Sequence, residues 1–180
     1  MILKISNIRK PETFEQLYQY NADYITINLN QKSPNYIGEI DPAILSVVPE
    51  NVKRCGRFDT ANTMQIISKA GRYNLDAVEL EGNEATPTLC EQLAAEGIEV
   101  IKIIAQEQLH TIPKFEGLCN KYIFQNVPIK YLEIYKGSTP IMITITKNEF
   151  LKMSETPMWS ENDQLFAKKL IVGYDINFNE

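Results

Sequence analysis

The chain has 180 residues, with 18 basic and 23 acidic side chains and a formal net charge of −5. Apolar residues make up 44% of it, which is enough for one hydrophobic core. The acidic balance argues against the basic surface of a nucleic-acid-binding protein, and the apolar runs are too short to span a membrane. We therefore expect one cytoplasmic domain over residues 1–180, without nucleic-acid or membrane partners.

Eight short β-rich segments follow one another along the chain. They cover residues 2–8, 23–29, 52–58, 77–80, 100–105, 121–124, 141–146 and 170–176. Strands that alternate with helical segments predict right-handed βαβ units and a parallel sheet. Eight units favour a compact closed (β/α)8 TIM barrel. The alternative is an open Rossmann-like sheet, which is weakened because no Gly-x-Gly-x-x-Gly motif follows a strand.

The connecting segments carry helix signals of decreasing strength along the chain. Asp41-Pro42 and Thr86-Pro87 each place a capping residue before a proline at the first helical position. Pro113 interrupts the fifth helical segment, and the sixth, over residues 127–135, is brief. The sequence ends directly after the eighth strand, so we expect the final helix to be lacking and the flank between strands 8 and 1 to be bare.

The three cysteines give no sign of a metal or disulfide framework. Cys55, Cys90 and Cys119 are separated by 35 and 29 residues, which is not the spacing of a zinc site, and their number is odd. We expect three buried thiols, no metal and no cofactor.

Several short motifs occur along the chain. Each is weak alone, but their order and spacing together are specific. They are Lys-Ile-Ser-Asn-Ile at 4–8, Asn-Ala-Asp at 21–23, Lys-Ser-Pro-Asn-Tyr-Ile at 32–37, Gly-Arg-Phe at 56–58, Leu-Asp-Ala-Val-Glu-Leu-Glu-Gly at 75–82, Val-Ile-Lys at 100–102 and Gly-Tyr-Asp-Ile-Asn at 173–177. Together they resemble the phosphoribosylanthranilate isomerase family, a barrel of the tryptophan pathway whose first strand reads Lys-Ile-Cys-Gly-Ile. The resemblance runs through most of the chain and is densest in the first 105 residues.

The resemblance implies an Amadori rearrangement, in which a general base removes the C2′ proton and a general acid protonates the ring oxygen. The family places a cysteine base on strand 1 and an aspartate acid at the end of strand 6, where this chain has Ser6 and Gln125. Neither an alcohol nor an amide fills these roles at neutral pH. The clamping arginine of the family is Asn35 here, and the fourth-strand histidine is Glu81.

The family's phosphate-binding turns are also altered. Thr144-Ile145-Thr146-Lys147 stands where the resemblance implies a Ser-Gly-Gly turn, and β-branched residues disfavour the backbone that glycine allows. Asp175 is the polar position of the family pocket that is kept. It either contacts a ligand or caps loop N–H groups at the barrel mouth.

Charged residues on the central strands predict a buried network. Side chains alternate in direction along a strand, so Arg57 lies on one face of strand 3 and Glu79 and Glu81 lie on one face of strand 4. We expect Arg57 to pair with one of these glutamates inside the barrel, with Lys4 and Lys102 joining. The network is either structural or a rebuilt ligand site. The candidate ligand-binding residues are therefore Asn35, Arg57, Glu79, Glu81 and Asp175.

These observations leave three hypotheses for the function. The main one is a barrel without isomerase activity that acts through binding of a small molecule or a protein. The alternative is a divergent phosphoribosylanthranilate isomerase, or a related sugar-phosphate isomerase, that uses replaced catalytic residues. The third is a structural subunit that forms a homo-oligomer or binds a protein partner through the bare flank, unless residues 152–169, with Met158 and Trp159, cover it.

Overall fold

Eight parallel strands form a closed barrel in chain order, with the last strand paired to the first. The computed structural model describes residues 1–8, 10, 12–60, 62–153 and 171–178. The strands are β1 (Ile2–Ile8), β2 (Tyr24–Asn28), β3 (Lys53–Phe58), β4 (Ala77–Leu80), β5 (Glu99–Ala105), β6 (Lys121–Gln125), β7 (Ile141–Thr146) and β8 (Ile171–Asn177). The predicted (β/α)8 barrel is confirmed, and the open-sheet alternative is wrong.

Short helices cover the barrel. The α-helices are α1 (Thr13–Gln16), α2 (Thr63–Tyr73), α3 (Pro87–Ala95), α4 (Ile112–Phe115) and α5 (Lys147–Lys152). Leu17–Tyr20, Pro42–Val47, Gln106–Thr111 and Ile129–Ile134 are 3-10 helices. Within these ranges no helix has the length and apolar character needed to cross a bilayer. Met158 and Trp159 lie outside the described residues.

The helix caps explain where several of these helices begin. The predicted caps are present, since Asp41 accepts a hydrogen bond from the Ala43 N–H and Thr86 accepts one from the Leu89 N–H. The segment after Asp41 nevertheless forms a 3-10 helix rather than the predicted α-helix. Val48 precedes Pro49 and has an extended backbone, which ends the helix after six residues.

The barrel interior holds an apolar cluster and a group of polar residues. The apolar cluster is formed by Tyr24, Cys55, Ala77, Ile101, Ile103, Ile123 and Met142. Two residues further along β3 and β4, the inward positions are Arg57 and Glu79, both buried. All three cysteines are buried free thiols, as predicted. The carboxyl ends of the strands, where barrel sites lie, are thus the polar part of this interior.

The seam between β8 and β1 depends on a glycine. Gly173 pairs with Ile2, and a Cβ atom at Gly173 would overlap the carbonyl oxygen of Ile2. The two backbones therefore pack closely at the point where the barrel closes.

Candidate functional site

Four charged side chains meet inside the barrel, below its mouth. Lys4 Nζ lies 2.6 Å from Glu79 Oε1 and 2.7 Å from Asp175 Oδ1. Arg57 Nε donates to Glu79 Oε2 at 2.6 Å, and an Arg57 terminal nitrogen lies 3.8 Å from Asp175 Oδ2. None of the four is more than 4% exposed. The predicted pair of Arg57 and Glu79 is confirmed, and the two cations balance the two anions.

Two threonines, one on β2 and one on β7, complete this arrangement. Thr26 Oγ1 donates to Glu79 Oε1 at 2.6 Å, and Thr144 Oγ1 donates to Asp175 Oδ2 at 3.3 Å. Both carboxylates thus receive hydrogen bonds as well as positive charge, which is how a charge is retained in a protein interior. We call these six side chains the barrel network.

The barrel network keeps Lys4, Arg57 and Glu79 charged. Burial alone would raise the pKa of Glu79, but Arg57 and Lys4 outweigh it and lower that pKa from 4.5 to about 2. Burial likewise acts to lower the pKa of Arg57 and Lys4, and the two carboxylates raise both pKa values above their ordinary range. At neutral pH the charges of Lys4, Arg57 and Glu79 are therefore compensated within the barrel network.

Lys102 does not join the barrel network, so that expectation was wrong. Ile101 and Ile103 on either side of it face into the barrel, and Lys102 therefore faces the helices. Its Nζ donates to the carbonyl oxygens of Leu80, Gly82 and Ile103 at 3.4, 3.0 and 3.0 Å. It also lies 5.7 Å from the Phe115 ring centroid, and burial lowers its pKa.

The two positions of the family's acid and base carry no titratable group. Ser6 is fully buried on β1, and its hydroxyl donates to the carbonyl oxygen of Ile176 at 3.3 Å. Gln125 ends β6 and is half-buried. In the described part of the chain, the Ser6 hydroxyl has no carboxylate or imidazole as a hydrogen-bond partner that would activate it.

A cavity of about 550 Å³ opens at the carboxyl ends of β4, β5 and β6. Its polar lining consists of Glu81, Asn83, Gln106, Glu107, Gln108, Gln125 and Asn126. We call it the mouth cavity. Of the candidate ligand-binding residues, Glu81 lines this cavity, whereas Arg57, Glu79 and Asp175 belong to the barrel network. Asn35 lies in the loop after β2, where its backbone N–H donates to Ser33 Oγ at 3.1 Å.

The turn after β7 is built around a carboxylate. Thr146 Oγ1 accepts a hydrogen bond from the Glu149 N–H at 3.1 Å, and Glu149 Oε2 accepts one from the Thr146 N–H at 2.7 Å. This capping box occupies the start of α5 with the chain's own side chains. Lys147 Nζ lies over the Phe178 ring, 4.3 Å from its centroid. The position that the resemblance assigns to a phosphate therefore presents Glu149.

Two parts of this site were missed from the sequence. Thr26 on β2 was not identified, although strand alternation places it on the inner face of the barrel, as it does the charged residues. The amides of the mouth cavity were missed as a group, since they come from three separate loops. Their common signal is position, because Asn83, Gln106 and Asn126 each follow the carboxyl end of a strand.

Comparisons with known proteins agree with the fold. The chain is 31% identical over 158 residues to the N-(5′-phosphoribosyl)anthranilate isomerase of Phocaeicola vulgatus, which covers 80% of this chain and 75% of the relative. It is 24% identical over 160 residues to the protein of that name from Parabacteroides distasonis, which covers 80% and 72%. No protein-family profile matches the chain.

Solved structures of the same kind superpose over nearly the whole chain. The phosphoribosyl anthranilate isomerase of Thermus thermophilus has a TM-score of 0.75 at 16% identity and covers 98% of this chain and 87% of that one. The Thermotoga maritima enzyme has a TM-score of 0.71 at 20% identity and covers 98% and 88%. At these identities the structures support the barrel fold alone.

Proposed function

Because the chain belongs to the phosphoribosylanthranilate isomerase family, we propose that it is a member that binds a small molecule at the barrel mouth and lacks the family's isomerase activity. One observation carries the proposal. The positions of the general base and general acid hold a buried serine, bonded to a backbone carbonyl, and a glutamine.

The chemistry of the rearrangement explains why these two positions matter. A base must remove the C2′ proton, and an acid must protonate the ring oxygen. The Ser6 hydroxyl has no activating partner among the described residues, and the Gln125 amide has no titratable proton. Glu79 and Asp175 do not replace them, because both are buried and bound to Lys4 and Arg57. A carboxylate with a pKa held at about 2, as in Glu79, is a weak base.

A second candidate function is isomerisation with a replaced catalytic group. It is favoured by the relatives, since the curated proteins reported above carry the isomerase name. The structural observation in its favour is Glu81, a half-buried carboxylate that lines the mouth cavity. Its side chain makes no hydrogen bond within the described part of the chain. In this version Glu81 would serve as the base.

A turnover assay with phosphoribosylanthranilate separates the two candidates. Loss of an acid and a base, each worth roughly 10²–10⁴ in rate, predicts kcat/KM about 10⁴-fold or more below that of the Phocaeicola vulgatus relative. Turnover that approaches the relative's and is lost in Glu81→Gln, but not in the neighbouring exposed control Glu84→Gln, would contradict the proposal. The Ser6→Cys Gln125→Asp double variant tests whether the frame still accepts the substrate.

A further inference from the structure

We propose that the mouth cavity takes a hydroxyl-rich small molecule without an anionic group, such as an unphosphorylated sugar or an amino sugar. This inference rests on the proposed function, since it names the ligand class of the same site. It departs from the doubly anionic substrate that the isomerase name of the relatives implies.

The lining chemistry is the first argument. The mouth cavity presents five carboxamides and the two carboxylates Glu81 and Glu107, and no lysine or arginine appears in its described lining. Carboxamides both donate and accept hydrogen bonds, as sugar hydroxyls do. Carboxylates accept from hydroxyl or ammonium groups and repel phosphate. The lining therefore matches a polyol or an amine.

The second argument concerns which of these groups are available. Gln108 is already engaged, because its Nε2 donates to Asn83 Oδ1 at 2.9 Å and its Oε1 accepts from the Ala105 N–H at 3.2 Å. In contrast, the side chains of Glu81, Gln125 and Asn126 make no hydrogen bond with other described residues. Gln108 and Asn83 thus stiffen one wall, and the other three groups are left to face a ligand.

The third argument is the lost anion site on the other side of the mouth. A phosphate at the start of α5 would meet the Glu149 carboxylate, which already accepts the N–H of Thr146. Lys102, which lies below the mouth cavity, is enclosed by three carbonyl oxygens, including that of Gly82. Its ammonium group is bound to these carbonyl oxygens and does not face the mouth cavity. These are independent reasons against an anionic ligand.

The test measures binding of a panel of pentoses, hexoses and glucosamine, with ribose 5-phosphate as the anionic comparison, by calorimetry on the whole chain. We expect at least one uncharged or amino sugar to bind more tightly than ribose 5-phosphate. Glu81→Gln is expected to weaken the binding of glucosamine about tenfold, because a charge-assisted hydrogen bond is replaced by a neutral one. Exposed Glu84, outside the cavity lining, provides the matched control Glu84→Gln, which should bind like the unmodified chain.

Two outcomes would overturn the inference. One is tighter binding of ribose 5-phosphate than of every unphosphorylated sugar, and the other is no binding by any member of the panel. Neither is the same as failure of the proposed function, which would appear as isomerase turnover. A chain that binds the phosphorylated sugar best but does not turn over phosphoribosylanthranilate would refute the ligand class and leave the loss of activity standing.

Discussion

Arg57 and Glu79 are charged residues inside the barrel whose role is structural, because each is paired with an opposite charge. Each is buried, and each makes a short contact with an opposite charge on a neighbouring strand or across the barrel. Buried ion networks add little net stability, but removal of one member leaves an unpaired charge in a medium of low polarity. The barrel network is therefore expected to be sensitive to single substitutions.

The first prediction compares a buried cation with an exposed one. Arg57→Met should lower the free energy of unfolding by about 3–5 kcal/mol, because the Glu79 and Asp175 carboxylates lose a partner in the interior. The control is Lys32→Met, since Lys32 is 84% exposed and lies 3.6 Å from Asp59. Its loss should be below about 1 kcal/mol. Urea unfolding measures both, and equal losses would contradict a structural role for the barrel network.

The second prediction concerns acid stability. The pKa of Glu79 is lower in the folded chain than its ordinary value of 4.5, so its contribution to stability is complete above pH 4.5. That contribution is lost as the pH falls towards about 2. Glu79→Gln should therefore show a shallower decrease in unfolding free energy between pH 4.5 and 2 than the unmodified chain. Parallel curves for the two proteins would show that Glu79 is not held ionised by its neighbours.

At the scale of elements, barrel closure depends on the contact between β8 and β1. Gly173→Ala should be strongly destabilising, because the new methyl group overlaps the backbone of Ile2 and the strands have to separate. The matched control is Gly71→Ala in α2, where the position is exposed and the added Cβ meets no atom within 4 Å. That change should stabilise the chain by about 0.5–1 kcal/mol. Thermal unfolding of both variants measures the difference, and similar melting temperatures would refute the close packing at this seam.

The strands were predictable from the sequence, and the later helices were not. The expected β-rich segments match all eight strands to within one residue at each end, and most of these segments are apolar because parallel strands are buried on both faces. The segment over residues 127–135 lacked a comparable signal. It forms the 3-10 helix Ile129–Ile134 after Pro128, and it is followed by Ser138, whose N–H donates to Glu116.

The site was predictable only in part. Strand residues could be assigned to the inner or outer face of the barrel, whereas loop residues that are distant in sequence could not be brought together. Strand alternation placed Arg57 and Glu79 on facing inward positions, and the register of β3 and β4 pairs them directly. The same alternation places Lys102 on the side of the helices. The expectation that Lys102 joins the barrel network was wrong because a charge on a strand does not by itself indicate an inward position. The mouth cavity could not be predicted from the sequence, since the loops that follow three different strands come together there only in the folded chain.

Across the whole molecule, the barrel of the family is kept, and the residues at its mouth differ from those that the family resemblance implies. The barrel superposes on solved phosphoribosyl anthranilate isomerases over 98% of the chain. Inside it, four mutually compensated charges lie beneath a mouth cavity lined by amides and acids. A fold permits many functions, and the groups at the strand ends select among them. On the proposed function, those groups serve binding rather than proton transfer at carbon.

The most direct test of this account is a single-turnover experiment on the unmodified chain. Protein in excess over phosphoribosylanthranilate is incubated, and the aminoketose product is separated from the substrate by chromatography. Slow product release cannot hide the chemical step under these conditions, because bound product is also measured. We predict product formation at the rate of the protein-free solution. A rate that rises well above this background, in proportion to the protein concentration, would contradict the loss of isomerase activity and make Glu81 the first residue to substitute.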